Sequence, residues 1–170
     1  MIFFWSVKDK YGMFSNFYPC VFTDEDGLVY NCSEQYFMVQ KLKTFDKNNR
    51  VLLDKMLCET DPKKIRQLGR QVRNYDEQQW DLIRYSVMLQ GLTYKFTQNP
   101  DLQRILLGTG EQMLAEASPY DQVWGIGMFA SDAKAQHPSQ WRGQNLLGKA
   151  LMKLRDHLKT NTSKETQIFS

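Results

Sequence analysis

Residues 33 to 42 read SEQYFMVQKL, and the four apolar or aromatic residues at the centre constrain the fold more than any other stretch. At ~100° per residue, Tyr36, Phe37, Met38 and Val39 cover every side of a helix, so a helix here has no apolar-free face to give to water. Glu34 and Lys41 bracket that run. Seven residues return almost to the starting angle, so the acid and the base share a face with Met38 between them, ~10.5 Å apart along the axis. That is too far for an i, i+4 ion pair. On an exposed helix, glutamate near the start and lysine near the end simply answer the macrodipole. On a buried one, both need partners or a polar cavity. Burial raises a carboxyl pKa and lowers an amine pKa, which leaves a general acid or base beside a lysine able to attack a carbonyl-like carbon.

The rest of the chain is arranged around this helix, expected over 33 to 43 with Asn31 or Ser33 as N-cap. IFFWSV at the start predicts a short buried strand, and KDKYGMFSNFYP a loop punctuated by Gly, Asn and Pro. CVFT, the turn DEDG and LVYN predict a hairpin. Further helices are expected over 46 to 59, from Asp61-Pro62 to Gly69, over 76 to 98 despite Gly91, and from Pro100 to Gly110. QMLAEAS reads as extended, and 119 to 140 as a long loop used for binding. A last helix spans GQNLLGKALMKLRDHLK with Leu146, Leu147, Ala150, Leu151 and Leu154 on one face, followed by a loose tail.

The 170 residues, 42% hydrophobic, suit one domain, placed at 1 to 159 with a flexible tail at 160 to 170. No apolar run approaches the ~18 residues of a membrane span, and the start lacks the basic segment and cleavage site of a signal peptide. A soluble, cytoplasmic or otherwise intracellular protein is expected, with no membrane partner. Three cysteines, Cys20, Cys32 and Cys58, form no CxxC pair and argue against a disulfide framework or a zinc site. His137 and His157 stand in no ligand arrangement, so no metal is expected. A net charge of +3 with dispersed basic residues suits phosphate-bearing ligands but falls short of a dedicated nucleic-acid binder.

Three further stretches could carry chemistry. FSNFYPC sets Ser15 and Asn16 among aromatics, a composition that suits a nucleotide or sugar and equally a core-closing turn. LGRQVRNYDEQQWD offers Gly69, Arg70 and Arg73 with Trp80 and Asp81; arginine can clamp phosphate or serve solubility. EASPYDQVWGIG sets Glu116, Asp121 and Trp124 beside Gly125 and Gly127, where acids could orient ribose hydroxyls, although the spacing is not that of a phosphate loop.

Taken in order, FSNFYP, Y-x-C-S-E-Q-Y-F-x-x-Q-K, the GR at 69 and 70, the WD at 80 and 81, KFTQNPDLQRILLGTG, LAEASPYDQVWGIG and WRGQNLLGKALMKLR resemble the NADAR (NAD and ADP-ribose) family, which includes YbiA-like N-glycosidases. The likeness spans residues 3 to 158. It implies an α+β fold, a single compact, mainly helical domain with a small β-sheet, and a pocket for ADP-ribose or a related phosphoribosyl group. It also implies hydrolysis of an N-glycosidic bond, in ADP-ribose attached to guanine or in a ribosylated pyrimidine of the riboflavin pathway, without a cofactor. A non-catalytic ADP-ribose or NAD reader is the rival. The partner implied is an ADP-ribose-containing ligand, with ADP-ribosylated DNA or RNA as its carrier. Carried onto matching positions, the resemblance points to Glu34, Lys41, Trp80 and Asp121 as catalytic. Ser15, Asn16, Phe17, Gly69, Arg70, Trp124, Gly125, Ile126, Gly127, Asn145 and Gly148 would shape the pocket, with an N-cap role as the rival for Asn145 and helix packing as the rival for Gly148. Gln35 stands where the family usually has histidine.

Overall fold

The structure, a computed structural model, describes the backbone of residues 1 to 168 and side chains as far as residue 161. It is mainly helical α+β, and its contacts divide into two units, Met1–Ser15 with Pro100–Ser170, and Asn16–Asn99.

In the first unit, β1 (Ile2–Phe4) pairs in parallel with β4 (Leu114–Glu116), Ile2 opposite Leu114 and Phe4 opposite Glu116. The strand predicted over IFFWSV stops at Phe4 because Ser6 to Asp9 close a turn, with the Asp9 carboxylate accepting from Ser6 N at 2.9 Å. Helices α5 (Pro100–Gly108) and α6 (Leu146–Ile168) pack together, and α6 lies on β4. The predicted stripe is buried at Leu147, Ala150, Leu151 and Leu154, each contributing about 1 to 3 kcal/mol of apolar burial. Arg155 joins that buried face because its guanidinium donates to Thr109 Oγ1 at 2.9 Å and to the Gln112 carbonyl at 2.7 Å. The tail expected from 160 is helical backbone through Ile168, continuous with α6; residues 169 and 170 lie outside the described residues.

The second unit is built on α1 (Ser33–Phe45), as its encircling apolar run requires: residues 33 to 39 and Leu42 are buried. Around it lie the hairpin β2 (Phe22–Thr23) and β3 (Val29–Tyr30), then α2 (Arg50–Cys58), α3 (Pro62–Gly69) and α4 (Glu77–Gln98). Tyr36 anchors an aromatic cluster with Phe22, Tyr30 and Tyr94 at centroid distances of 6.1, 5.2 and 5.9 Å. The caps of α3 and α4 follow the sequence: Asp61 accepts from Lys63 N and Asp76 from Gln79 N, both at 2.9 Å.

Two expectations fail locally. Neither Asn31 nor Ser33 caps α1 with its side chain. The Ser33 hydroxyl is buried without a partner, and Gln35 Oε1 instead reaches back to Asn31 N at 2.8 Å. Helix α2 begins at Arg50 rather than 46, because Asp46 ends α1 and the Asn49 side chain, accepting from Leu52 N at 3.1 Å, starts α2. No helix among the described residues is long and apolar enough to cross a membrane.

Candidate active site

Helix α1 carries Glu34 and Lys41. Glu34 is 3% exposed, its backbone N donates to the Asn16 carbonyl at 3.0 Å, and its Oε1 accepts from Arg66 Nε at 3.0 Å. Two turns on, Lys41 is half-buried; its Nζ donates to the Gly69 carbonyl at 3.0 Å and stands 4.2 Å from the Tyr75 ring centroid. One short helix serves both ends of the pair, since α3 supplies Arg66 to the acid and Gly69 to the base. Burial pushes the Lys41 amine below the usual lysine value, the Arg70 charge adds to that, and the Glu34 carboxylate opposes it.

The neighbouring residues sort by what they touch. Phe17 lies beneath the Arg66 guanidinium, 4.8 Å from its ring centroid, a cation–π contact that holds the arginine in line with Glu34. Asn16 is buried, and its Oδ1 has no hydrogen-bond partner, an acceptor of the kind a ligand hydroxyl would satisfy. Arg70 is exposed at the end of α3. Arg73 is bound to Asp46, at 3.3 Å from Nε to Oδ2. Trp80 is buried against Phe37 and Phe45, at 5.0 and 6.1 Å between centroids, and Phe45 in turn meets Tyr75. Trp80 therefore supports the aromatic bed under Lys41 through Phe45 and Tyr75.

The remaining predicted residues belong to the first unit. Ser15 is buried directly after a 3₁₀ turn, Gly12–Phe14. Asp121 Oδ1 accepts from Val123 N at 2.9 Å and Trp124 N at 2.8 Å, folding the loop back on itself. The carbonyls of Gln122, Val123, Trp124 and Gly125 then accept from the backbone N–H groups of Gln144, Leu146, Leu147 and Asn145. Two N–H groups of the first turn of α6 are thereby engaged by protein rather than left for a phosphate. Ile126 packs in a buried cluster with Ala115, Ala117, Met128 and Ala135. Gly127, at φ +71°, takes a conformation that favours glycine. A Cβ on Gly148 would stand 2.2 Å from the Leu114 carbonyl oxygen, so this glycine lets α6 lie on β4. Asn145, buried at φ +53°, accepts from Glu116 N at 3.0 Å and donates to the Leu114 carbonyl at 2.9 Å. Its side chain serves β4 rather than capping α6.

The family model for the NADAR domain matches residues 3–159. The chain belongs to the NADAR family. An N-glycosidase of Acanthamoeba polyphaga mimivirus is 38% identical over 148 residues, covering 85% of this chain and 86% of that protein. A riboflavin biosynthesis protein of Vibrio vulnificus is 33% identical over 157 residues, covering 92% of this chain and 38% of that one. The solved NMR structure of the Escherichia coli protein YbiA superposes with a TM-score of 0.75 at 30% identity, covering 95% of this chain and 86% of that one.

In this NADAR chain the glutamine at the usual histidine position is fully buried. Gln35 Nε2 donates to the Met56 carbonyl at 2.8 Å and lies 3.2 Å from the Leu57 and Glu59 carbonyls, so the side chain joins the start of α1 to the end of α2. Sequence reasoning passed over two residues of this NADAR chain. Arg66 lies one helical turn before Arg70, and only the demand of a buried Glu34 for a cation singles it out. Lys95 is fully buried beside the Tyr18 and Phe96 rings, with its amine pushed down to about 8 by desolvation. Its position three residues after Leu92 and one before Phe96, on the buried stripe of α4, was the available signal.

Proposed function

We propose that this chain is an N-glycosidase that removes ADP-ribose from ADP-ribosylated guanine, carried on a nucleotide or a nucleic acid, with Glu34 and Lys41 as the working pair. The observation that carries the reading is the placement of Lys41 on α1: half-buried, its amine pushed below the usual lysine value, on the face of the same helix that presents the buried Glu34 carboxylate. Binding alone does not require such a pair. Family membership and the names of the relatives support the same reaction class.

The chemistry follows from those groups. Breaking an N-glycosidic bond develops positive charge at the anomeric carbon, which the carboxylate of Glu34 stabilises. A neutral Lys41 amine attacks that carbon; the bond to the base nitrogen breaks and the base leaves with a proton relayed by Glu34. The ring oxygen then departs as a hydroxyl, leaving an imine to Lys41. Water adds to the imine carbon, the carbon–nitrogen bond to lysine breaks, and ADP-ribose and the free amine are restored with one water consumed. Arg66 and Arg70 offer planar donors to the pyrophosphate, and Asn16 Oδ1 offers an acceptor to a ribose hydroxyl. Cytoplasmic placement and an ADP-ribosylated DNA or RNA partner belong to this reading.

A second reading is favoured by the name of the Vibrio vulnificus relative: the same chemistry on a ribosylamino-pyrimidine of riboflavin synthesis. Turnover of ADP-ribosylated guanosine and of a ribosylamino-pyrimidine phosphate, measured side by side with ADP-ribose binding, tests both. Release of ADP-ribose at the higher kcat/KM supports the first, preference for the pyrimidine replaces it with the second, and tight ADP-ribose binding without turnover of either makes the chain a reader.

A further inference from the structure

The connection between α3 and α4, residues 70 to 76, closes around one amine. Lys41 Nζ donates to the carbonyl of Gly69, the residue just before that loop, at 3.0 Å, and stands 4.2 Å from the ring centroid of Tyr75 near the loop's end. The carbonyl oxygen and the negative face of the ring each attract an ammonium. A lysine stem is flexible, so two such contacts from opposite ends of one loop restrict where its amine sits.

Three features hold the ring in place. Asn74, the residue before it, adopts φ +57°, a left-handed conformation that persists only where the surroundings impose it. The Arg73 backbone N and guanidinium both reach Asp46 Oδ2, at 3.4 and 3.3 Å, which ties the loop to the end of α1, the helix that carries Lys41. Phe45 meets the Tyr75 ring at 77°, with centroids 5.4 Å apart. The ring so held is still 44% exposed, and core burial does not account for a strained backbone and an ion pair beside it.

The charges that face this contact come from three elements. Glu34 on α1 and Arg70 at the end of α3 act on the amine with opposite signs. Asp76, Glu77, Asp81 and Arg84, on α4 and its cap, act on the Tyr75 hydroxyl. Desolvation first, then the acids, push that hydroxyl above the usual tyrosine value, so the ring stays neutral while Lys41 titrates.

We infer that Tyr75 is a positioning residue for Lys41, its ring face and the Gly69 carbonyl together fixing the amine for attack on the anomeric carbon. The inference rests on the glycosidase reading, for which it assigns the group that orients the nucleophile.

The test replaces Tyr75 by phenylalanine and by trifluorophenylalanine, which keep the ring's shape while fluorine withdraws charge from its face. Carbon-13 NMR of labelled lysine follows the titration, with the Lys41 signal identified by its loss in Lys41→Ala. Tyr75→Phe should leave the midpoint within about 0.3 pH units of the wild type, and the trifluorinated ring should lower it by about 0.4 to 1.5, because the ammonium loses its attraction while burial is unchanged. Tyr75→Ala should reduce kcat on ADP-ribosylated guanosine about 10- to 100-fold with ADP-ribose affinity retained, and Tyr75→Phe should keep the wild-type kcat. Equal midpoints for the phenylalanine and trifluorinated proteins overturn the positioning role, and so does a Tyr75→Ala loss that falls on ADP-ribose affinity with kcat intact. Should Tyr75→Ala fail to fold, as urea unfolding shows, the fluorinated ring decides alone. A fluorine-dependent midpoint in a protein that hydrolyses no N-riboside would remove the glycosidase reading alone. Hydrolysis through Lys41 with a midpoint indifferent to fluorine would remove the role of Tyr75 alone.

Discussion

Arg66 Nε donates to Glu34 Oε1 across 3.0 Å, a charge pair in which the carboxylate side chain is 3% exposed and the guanidinium side chain 47%. The carboxylate therefore bears nearly all the desolvation, and the arginine is what makes its burial tolerable. Arg66→Ala is expected to destabilise the fold by about 1 to 3 kcal/mol, less than a fully buried pair would lose because water can reach the vacated side. In Glu34→Gln the same arginine change should cost well under half as much, a coupling read from urea midpoints of the four proteins in a double-mutant cycle. Additive costs would show that the pair contributes nothing.

Arg70 acts on Lys41 through its charge alone. With the first cause of the lowered amine pKa, burial, left in place, Arg70→Gln removes the second. The Lys41 amine should then titrate at higher pH, and any activity that needs the neutral amine should have its rising limb displaced to the alkaline side. Carbon-13 NMR of labelled lysine in the two proteins measures the shift without relying on turnover. An unchanged or lower midpoint in Arg70→Gln would contradict the electrostatic account.

What the sequence disclosed and what it hid have a common physical explanation. The burial of α1 was legible only in part: the apolar run around the helix suggested it, while Glu34 near the start and Lys41 near the end also fitted an exposed helix answering the macrodipole. The starts of α3 and α4 were legible because aspartate caps act within three residues. Arg66 meets Glu34 across 32 residues of chain, and Asn145 meets Glu116 and Leu114 across 29 and 31. The parallel pairing of β1 with β4 joins Ile2 to Leu114. Such partners are set by topology, which local pattern does not encode. The loop motif holding Asp121, Trp124 and the glycines was visible as a motif, whereas its hydrogen bonding to the residues that open α6 was not.

Lys95 predicts a distinctive pH dependence. Its amine is pushed from 10.5 down to about 8 in the fold by complete burial. Between pH 8 and 10.5 the unfolded chain binds more protons at this site than the folded one, so the site's contribution to stability rises with pH. Below pH 8 both states are protonated and the penalty is constant. Relative to Lys95→Met, the wild type should therefore gain about 3 kcal/mol across that window. Thermal or urea unfolding of both proteins at several pH values checks the difference, which cancels the titrating groups that do not interact with Lys95; Cys20 and Cys32 do interact with it, so both proteins are compared in a Cys20→Ala/Cys32→Ala background. A flat difference would mean that Lys95 is not desolvated.

Asn145 holds two buried backbone groups of β4 with one amide. Asn145→Ala leaves both unpaired and places alanine at φ +53°, and should cost about 2 to 4 kcal/mol. Asn145→Gly relieves the conformational strain but not the lost bonds, so it should recover about 1 kcal/mol of that cost. Equal stability of all three proteins would remove the structural role assigned to this side chain.

The most direct test of the central claim is reductive trapping. Wild-type protein turning over ADP-ribosylated guanosine is treated with cyanoborohydride and mapped by peptide mass spectrometry, beside Lys41→Ala and Glu34→Gln. The account predicts a stable ADP-ribosyl adduct on Lys41, absent in Lys41→Ala and slow to form in Glu34→Gln, with ADP-ribose binding retained in both. Continued hydrolysis by Lys41→Ala, or an adduct confined to another lysine, would contradict it.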